Sequence, residues 1–374
     1  MKVVCDREKL LAAFQTASAV APTRSPKPIL QNVKFEATGS GEATGMMMAT
    51  DLEVGIRVNA PGIQVDAAGS AILPIARFGS ILRESSDAKL HLETDGQGTV
   101  VRGDRSEFRL PAESPEEFPA VAQFNEAKYH ELPGRLFREI IRRTVFATDV
   151  ESSRYALGGV LLELTADKIT AVGTDGRRLA MMEAPAKAVG GHQTGDNTTI
   201  IPTRAMHFIE RALADGEAEV QIATRANDVL VKTARATIYS RLVEGRFPKW
   251  RDVFPRRPDA TKMELVVGPV YSAVRQAAIV TDDESRGVDF TFGEGKLVLS
   301  GRSARVGQSR VELPIGFDGA PLTITLDPRY MNDFLKVLDP EKNFSLELKD
   351  AESAAVCRTD DGYGYVIMPL ARER

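Results

Sequence analysis

Basic side chains recur at helical spacing in three places. Arg135, Arg138 and Arg142 stand at i, i+3 and i+7; Arg204 and Arg211 stand seven apart, as do Arg329 and Lys336. Two helical turns bring such residues onto one face, roughly 10 Å apart along the axis at about 1.5 Å per residue. A solvated helix face normally mixes both signs. A face of cations with few acids suits a polyanion, whose backbone phosphates it can hold without reading sequence. No comparable grouping points to catalysis. His91, His130, His192 and His207 form no metal-spaced pair. Neither a G-x-S-x-G elbow nor a P-loop occurs. Gly39-Ser40-Gly41 followed by Gly45 imitates a dinucleotide fingerprint, but it lies between strand patterns and reads as a hairpin turn. The acidic stretch Thr281–Ser285 reads as a solvated turn, not a metal site. No cofactor, metal or catalytic residue is expected.

The elements that position these cations repeat. Ile200–Leu213 (IIPTRAMHFIERAL) is a β-branched run, then Pro202, then an amphipathic helix pattern with Pro202 expected at its first position. Met206, Ile209 and Leu213 form its apolar face, and Arg204, His207 and Arg211 a polar one. The same unit occurs at Ile72–Arg83 and Ile324–Leu338, with Pro74, Pro202 and Pro328 spaced 128 and 126 residues apart. Thr50-Asp51 and Thr174-Asp175 recur at 124 residues, and Phe118-Pro119 and Phe247-Pro248 at 129. Helix patterns over Glu8–Ala19, Gly134–Ala147 and Val270–Val280 open three modules, and alternating strands come after them over Asn32–Ala37, Val160–Thr165 and Gly287–Phe292. A period near 125 residues is domain-sized, too long for a solenoid. The expected class is α+β: three repeated modules, each with two helices packed on antiparallel sheets, spanning 1–125, 126–256 and 257–374.

With 374 residues the chain has room for three such domains, and no apolar run reaches 18 residues. The start MKVVCDREKLL has charge where a signal peptide needs its apolar stretch, so a cytoplasmic location is expected, with no membrane partner. Cys5 and Cys357 read as buried thiols, and Asn197-Thr198-Thr199 as a surface loop. The overall charge of −4 argues mildly against binding a polyanion. Its distribution says otherwise. The six helix patterns hold thirteen basic residues, Arg7, Arg77 and Arg143 among them, against five acidic ones. That is +8 for the helices and −12 for the rest. The basic loop Arg24–Pro28 adds two cations beside this layer. Glu107–Leu110 alternates charged and apolar residues, as an edge strand does. Tyr365–Arg374 reads as a buried last strand or an exposed apolar groove wall.

The whole chain resembles the bacterial DNA polymerase III beta subunit family, the sliding clamps. The resemblance rests on Pro28-Ile29-Leu30, Thr50-Asp51-Leu52-Glu53, Arg154-Tyr155, Thr174-Asp175-Gly176, Arg178-Leu179, Leu242-Val243, Gly245-Arg246-Phe247-Pro248, Arg286-Gly287-Val288 and Met368-Pro369. It implies a head-to-tail homodimer closing into a six-module ring, with helices lining a central channel around double-stranded DNA. It implies a non-catalytic processivity factor in DNA replication that tethers the DNA polymerase III alpha subunit, the clamp loader and other proteins carrying clamp-binding motifs. The family's peptide cleft maps onto Leu157, Thr174, Gly176, Arg178, Leu179, Pro248, Val253, Tyr330, Met368, Pro369 and Leu370. Here Arg177, Asp252, Leu370 and Ala371 depart from the family's pattern, which touches partner preference. The resemblance places DNA contact at Arg24, Arg204 and the loop Asp149–Ser153, and the helix stripes add Arg77, Arg138, Arg142, Arg211, Arg329 and Lys336. The dimer contact falls on Glu107, Phe108 and Leu110 against Ile279, Val280 and Arg310, with Glu107 and Arg310 answering each other's charge. The alternative reading is a monomeric three-module scaffold for acidic partners.

Overall fold

The computed structural model describes residues 1–39, 41–149, 151, 155–195, 197–213, 218–254 and 259–371, without the side chains of 41–44 and 155. Ser40 of the expected hairpin turn, Val150, Ser152 and Ser153 of the expected DNA loop, Arg154, and the expected module boundary at 256/257 lie outside the described residues. The backbone forms two compact units. One comprises 1–138, 187–193 and 204–242; the other comprises 139–186, 194–203 and 243–374.

The first unit is built on a 13-stranded antiparallel sheet. Its order runs Lys187–Val189, Tyr129–Pro133, Glu219–Thr224, Asp228–Lys232, Ala236–Arg241, Val54–Ala67, Lys2–Asp6, Lys89–Asp95, Gly98–Arg102, Glu107–Pro111. Asn32–Ala37, Gly41–Thr50 and Gly69–Pro74 join it off this path. The long strand Val54–Ala67 pairs with Ala236–Arg241, so a strand from the expected second module completes a sheet begun in the expected first one. A buried imidazole pair ties this unit's far end. His130 Nδ1 and His192 Nδ1 lie 2.7 Å apart, and Thr224 N donates to His192 Nε2 at 3.2 Å.

The second unit has an eight-stranded sheet and a four-stranded sheet. The larger runs Thr199–Pro202, Gly159–Leu164, Lys168–Thr174, Arg178–Pro185, Tyr363–Ile367, Ala355–Arg358, Asn343–Leu348, Thr261–Val266. The smaller runs Gly307–Pro314, Lys296–Ser303, Val288–Gly293, Leu322–Leu326. The last strand Tyr363–Ile367 is interior and fully buried, while Met368 beyond it is 43% exposed. The buried-strand reading of the C-terminal run therefore holds through Ile367. The Phe334 ring stacks on Tyr365 at 5.1 Å and Tyr363 at 5.5 Å, joining helix to sheet.

The helices are α1 (Arg7–Ser18), α2 (Ile75–Glu84), α3 (Gly134–Thr144), α4 (Thr203–Ala212), the short α5 (Trp250–Val253), α6 (Val267–Ala277) and α7 (Pro328–Lys336). Asp6 caps α1 through Lys9 N, and Asp327 caps α7 through Arg329 N, both at 3.0 Å. Only α7 has its proline at the first helical position. Pro202 instead ends the strand Thr199–Pro202, in register with Gly159, and Pro74 is the cap residue of α2. The φ that suits a helix start also suits the end of an extended segment, so either placement satisfies proline. Helix α6 starts three residues before the expected Val270, and α3 and α6 end in short 3-10 turns rather than continuing.

Each helix buries its apolar stripe. Phe78 and Leu82, Phe137 and Ile140, Met206 and Ile209, and Met331 and Phe334 are all at most 1% exposed. Fully burying each such side chain stabilises the fold by about 1.5–3 kcal/mol. Two of the thirteen helix cations break the expected outward pattern. Arg7 donates to the carbonyls of Asp87 and Leu82, and Arg143 is a buried cation between Glu139 and Asp361, over the Tyr363 ring. Both bind their own chain, because helical periodicity does not show which basic residue lies at the helix–sheet seam. Among the described residues no helix is long and apolar enough to cross a membrane.

Candidate functional site

In the second unit a polar turn sets up the site. Thr174 Oγ1 donates to the carbonyl of Arg178 at 2.6 Å and accepts from Gly176 N at 3.1 Å. Asp175 Oδ1 accepts from Arg177 N and Arg178 N, each at 2.9 Å. Gly176 sits at φ +87°, a left-handed conformation that glycine adopts without a Cβ penalty. The turn holds Arg178 at a hub. Its Nε donates to Asp175 at 3.0 Å, its Nη1 to Asp333 at 2.5 Å and its Nη2 to the Phe146 carbonyl at 2.7 Å. The Tyr330 ring lies 4.6 Å and the Phe146 ring 5.3 Å from the guanidinium carbon. Burial works against this charge, but Tyr365 and Asp333 outweigh it and raise the guanidinium pKa above its usual value.

Around this hub several of the expected cleft residues meet. Leu179 is 2% exposed and shares an apolar cluster with Phe247, Trp250 and Phe254. Met368 N donates to the Arg177 carbonyl at 2.9 Å, which draws the C-terminal segment along the turn, and Leu370 N donates to the Thr325 carbonyl at 2.9 Å. Tyr365 Oη donates to the Tyr330 carbonyl at 3.0 Å. Val253 and Met368 are exposed at 44% and 43%, Pro248 is exposed, and Pro369 and Leu370 are half-buried. Leu157 is buried on the turn Tyr155–Leu157, its carbonyl accepting from Asp149 N. The arrangement is an apolar surface with one fixed guanidinium, able to bind an extended chain but holding no reactive group. Sequence spacing missed Asp333 and Phe146, which hold Arg178; the only signal was their place on helix-forming segments.

Arg24, Arg77, Arg138, Arg142, Arg204, Arg211, Arg329 and Lys336 are all exposed. They are not equally free. Arg204 donates to Asp51 at 2.5 Å and to the Val20 carbonyl at 3.2 Å. Arg329 donates to both oxygens of its own cap residue, Asp327, the shortest bond being 2.7 Å. Hydrogen bonding to that carboxylate, against partial burial, raises the Arg329 pKa. Among the described residues Arg24, Arg77, Arg138, Arg142, Arg211 and Lys336 show no ion pair within 4.0 Å.

Two sheet edges, the second with the 3-10 turn Ala278–Val280 packed against it, carry the expected dimer residues. In the first unit Glu107–Pro111 is the outer strand, with Phe108 39% exposed and Leu110 turned inward at 5%. In the second unit Gly307–Pro314 is the outer strand of its sheet, and Ile279, next to Val280 in the chain, is 74% exposed. Each of the two expected charge partners has a neighbour within its own unit: Glu107 accepts from Arg102 at 2.7 Å, and Arg310 donates to Glu312 at 2.6 Å. In the Thr281–Ser285 turn Asp282 accepts from Glu284 N, Ser285 N and Ser303 Oγ.

Known proteins match along the full length. The N-terminal, central and C-terminal domain profiles of the DNA polymerase III beta subunit fit residues 1–122, 131–249 and 251–371. The beta sliding clamp of Chlamydia pneumoniae is 30% identical over 375 residues, covering 99% of each chain. That of Pseudomonas putida is 29% identical over 378 residues, covering 99% of this chain and 100% of the relative. Among solved structures, the Pseudomonas aeruginosa DNA polymerase III beta subunit superposes with a TM-score of 0.90 at 26% identity, and Caulobacter crescentus pol III beta with 0.87 at 27%, each over 100% of both chains. With its three-domain fold and full-length kinship, the chain belongs to the bacterial DNA polymerase III beta subunit family, the sliding clamps, which are non-catalytic processivity factors of DNA replication.

Proposed function

We propose that two copies of this chain close head to tail into a ring, with modules 1–125, 126–256 and 257–374, around double-stranded DNA in the cytoplasm. The observation that carries this reading is the split character of the helices: apolar stripes buried at 8% or less beside exposed Arg77, Arg138, Arg142, Arg211 and Lys336. These cations, with Arg24, provide the non-specific contact to phosphates. Arg204 and Arg329 contribute less, because Asp51 and Asp327 already neutralise them. The edge strands Glu107–Pro111 and Gly307–Pro314 supply the self-association surface, since an open edge with an exposed Phe108 or Ile279 beside it favours a second chain. The surface around Arg178, Leu179 and Met368 receives short motif peptides of the polymerase alpha subunit, the clamp loader and other partners.

The decisive experiment loads the protein on circular and on linear DNA and raises the salt. Phosphate contacts weaken with salt, whereas a closed ring stays threaded on a circle. Retention on circular DNA with loss from linear DNA supports the ring. Equal loss from both overturns it. Glu107→Arg is expected to weaken self-association in sedimentation, and an unchanged dimer removes Glu107 from the interface.

A further inference from the structure

The two polar turns fix a residue-by-residue correspondence between the first sheet and the eight-stranded one. Thr50-Asp51 matches Thr174-Asp175, so Arg57 falls where Met181 falls in the other copy. Strand register carries the match outward. Arg57 pairs with Thr237 and Thr237 with Lys232; Met181 pairs with Gly364 and Gly364 with Arg358. One strand further, Ala223 stands where the other copy has Glu347.

In the second unit this place is filled and neutral. The Phe254 ring lies on Gly364 so closely that any side chain there would strike it. Arg358 covers the same ring, its guanidinium carbon 4.3 Å from the centroid, and its Nε forms a 3.3 Å ion pair with Glu347. In the first unit Thr237 replaces the glycine, and a cavity of about 380 Å³ opens, lined by Arg57, Asn59, Gln123, Asn125, Lys232 and Thr237 among others. That volume falls within the usual range of small-ligand sites. No lining residue is acidic, although acids outnumber bases in the chain, 52 to 48.

The two cations here lack a counter-ion. Arg57 Nη1 donates to Met48 Sδ at 3.0 Å and to the Val121 carbonyl at 3.3 Å, both neutral. Among the described residues no carboxylate lies within 4.0 Å of Arg57 or Lys232. Glu36, the acid whose field reaches Arg57, is bridged to Lys34 at 2.8 Å. Burial lowers the Arg57 pKa, the mark of a charge the fold does not compensate. Arg57 and Lys232 flank a single strand, so their Cα atoms are roughly 10 Å apart at about 4.8 Å per strand, a span two long side chains can close on one ligand.

We propose that this cavity is a binding site for a small dianion, of phosphate or dicarboxylate class, held between Arg57 and Lys232. The test is calorimetry on the full chain at low salt with two probes, pyrophosphate and succinate. One probe is expected to bind once per chain, at least tenfold more tightly than the other, which identifies the class. Arg57→Met and Lys232→Met, the first restoring the residue of the other copy, should each weaken that binding at least tenfold. Lys262→Met, on the outer strand of the eight-stranded sheet, should leave it within twofold. A thermal melt guards against misfolding: without ligand Arg57→Met should melt at or above the parent, and adding the probe should raise the parent's midpoint but not the variant's. Neither probe binding, affinity that survives Arg57→Met, or a lower melting point for that variant would overturn the proposal.

Discussion

The Thr50–Val54 turn in the first unit and the Thr174–Arg178 turn in the second share their hydrogen bonds and differ in the side chains at their exits. Thr50 Oγ1 donates to the Val54 carbonyl at 2.8 Å and accepts from Leu52 N at 2.9 Å, and Asp51 Oδ1 accepts from Glu53 N and Val54 N. These are the bonds of Thr174 and Asp175, residue for residue. Beyond them the copies part. Val54 and Gly55 stand where Arg178 makes the hub and Leu179 joins the apolar cluster beside it. A Cβ at Gly55 would meet Val121 Cγ1 at 2.9 Å, so in the first copy the chain's own linker fills the space. The turn preserves the backbone, and the pair of residues after it decides what stands at the exit: an anchored guanidinium and a buried leucine in one copy, a valine and a glycine packed against Val121 in the other.

That contrast can be broken by substitution. The largest effect is expected for Leu179→Ala, which empties a buried site at a cost of about 2–5 kcal/mol and abolishes motif-peptide binding. Its counterpart Val121→Ala should cost about 1.5 kcal/mol and leave peptide binding intact. Denaturant unfolding and a fluorescent-peptide titration read both, and peptide loss in both variants would erase the distinction. Arg178→Met should cost about 2–3 kcal/mol, because Asp175, Asp333 and the Phe146 carbonyl lose a charged donor. Thr50→Val and Thr174→Val each remove a hydroxyl that donates and accepts, and each should cost about 1–2 kcal/mol. The two values should agree, and a clear disparity would show that the turns are alike in geometry only. The smallest effect separates the third positions. Leu52 holds φ +80° with 41% exposure, where Gly176 sits without strain. Leu52→Gly should therefore stabilise by about 0.5–1 kcal/mol, relief of left-handed strain exceeding the added flexibility of glycine.

Much of the architecture was legible in the residues themselves. The period of the prolines and of the Thr-Asp pairs announced the repeat, and i, i+3, i+7 spacing separated Met206 and Ile209 from Arg204 and Arg211. Spacing along one helix is a local property, so it told which face was apolar. It did not tell that Arg143 meets Asp361, or that Arg204 meets Asp51, because those partners are 218 and 153 residues away. Strand pairing was hidden for the same reason. Alternation identifies Val54–Val58 as a strand and carries no record that Ala236–Arg241 lies beside it. The cleft positions came from resemblance rather than from pattern, since leucine, proline and methionine in scattered segments have no periodic signature. The cavity beside Arg57 was invisible, because its cations are paired only through register across three strands.

The pairing of Val54 with Ser240, and of Arg178 with Ile367, has a consequence for synthesis. A ribosome adds 186 residues in going from Val54 to Ser240 and 189 from Arg178 to Ile367. At about 5–20 residues per second each strand end waits roughly 10–40 s for its neighbour. During that interval the growing chain displays unfinished sheet borders. Glu53 and Arg57, charged and placed at the first waiting border, discourage premature pairing with another nascent chain. The order of translation thus becomes part of the folding route, with the first sheet held incomplete until Ala236–Arg241 has emerged.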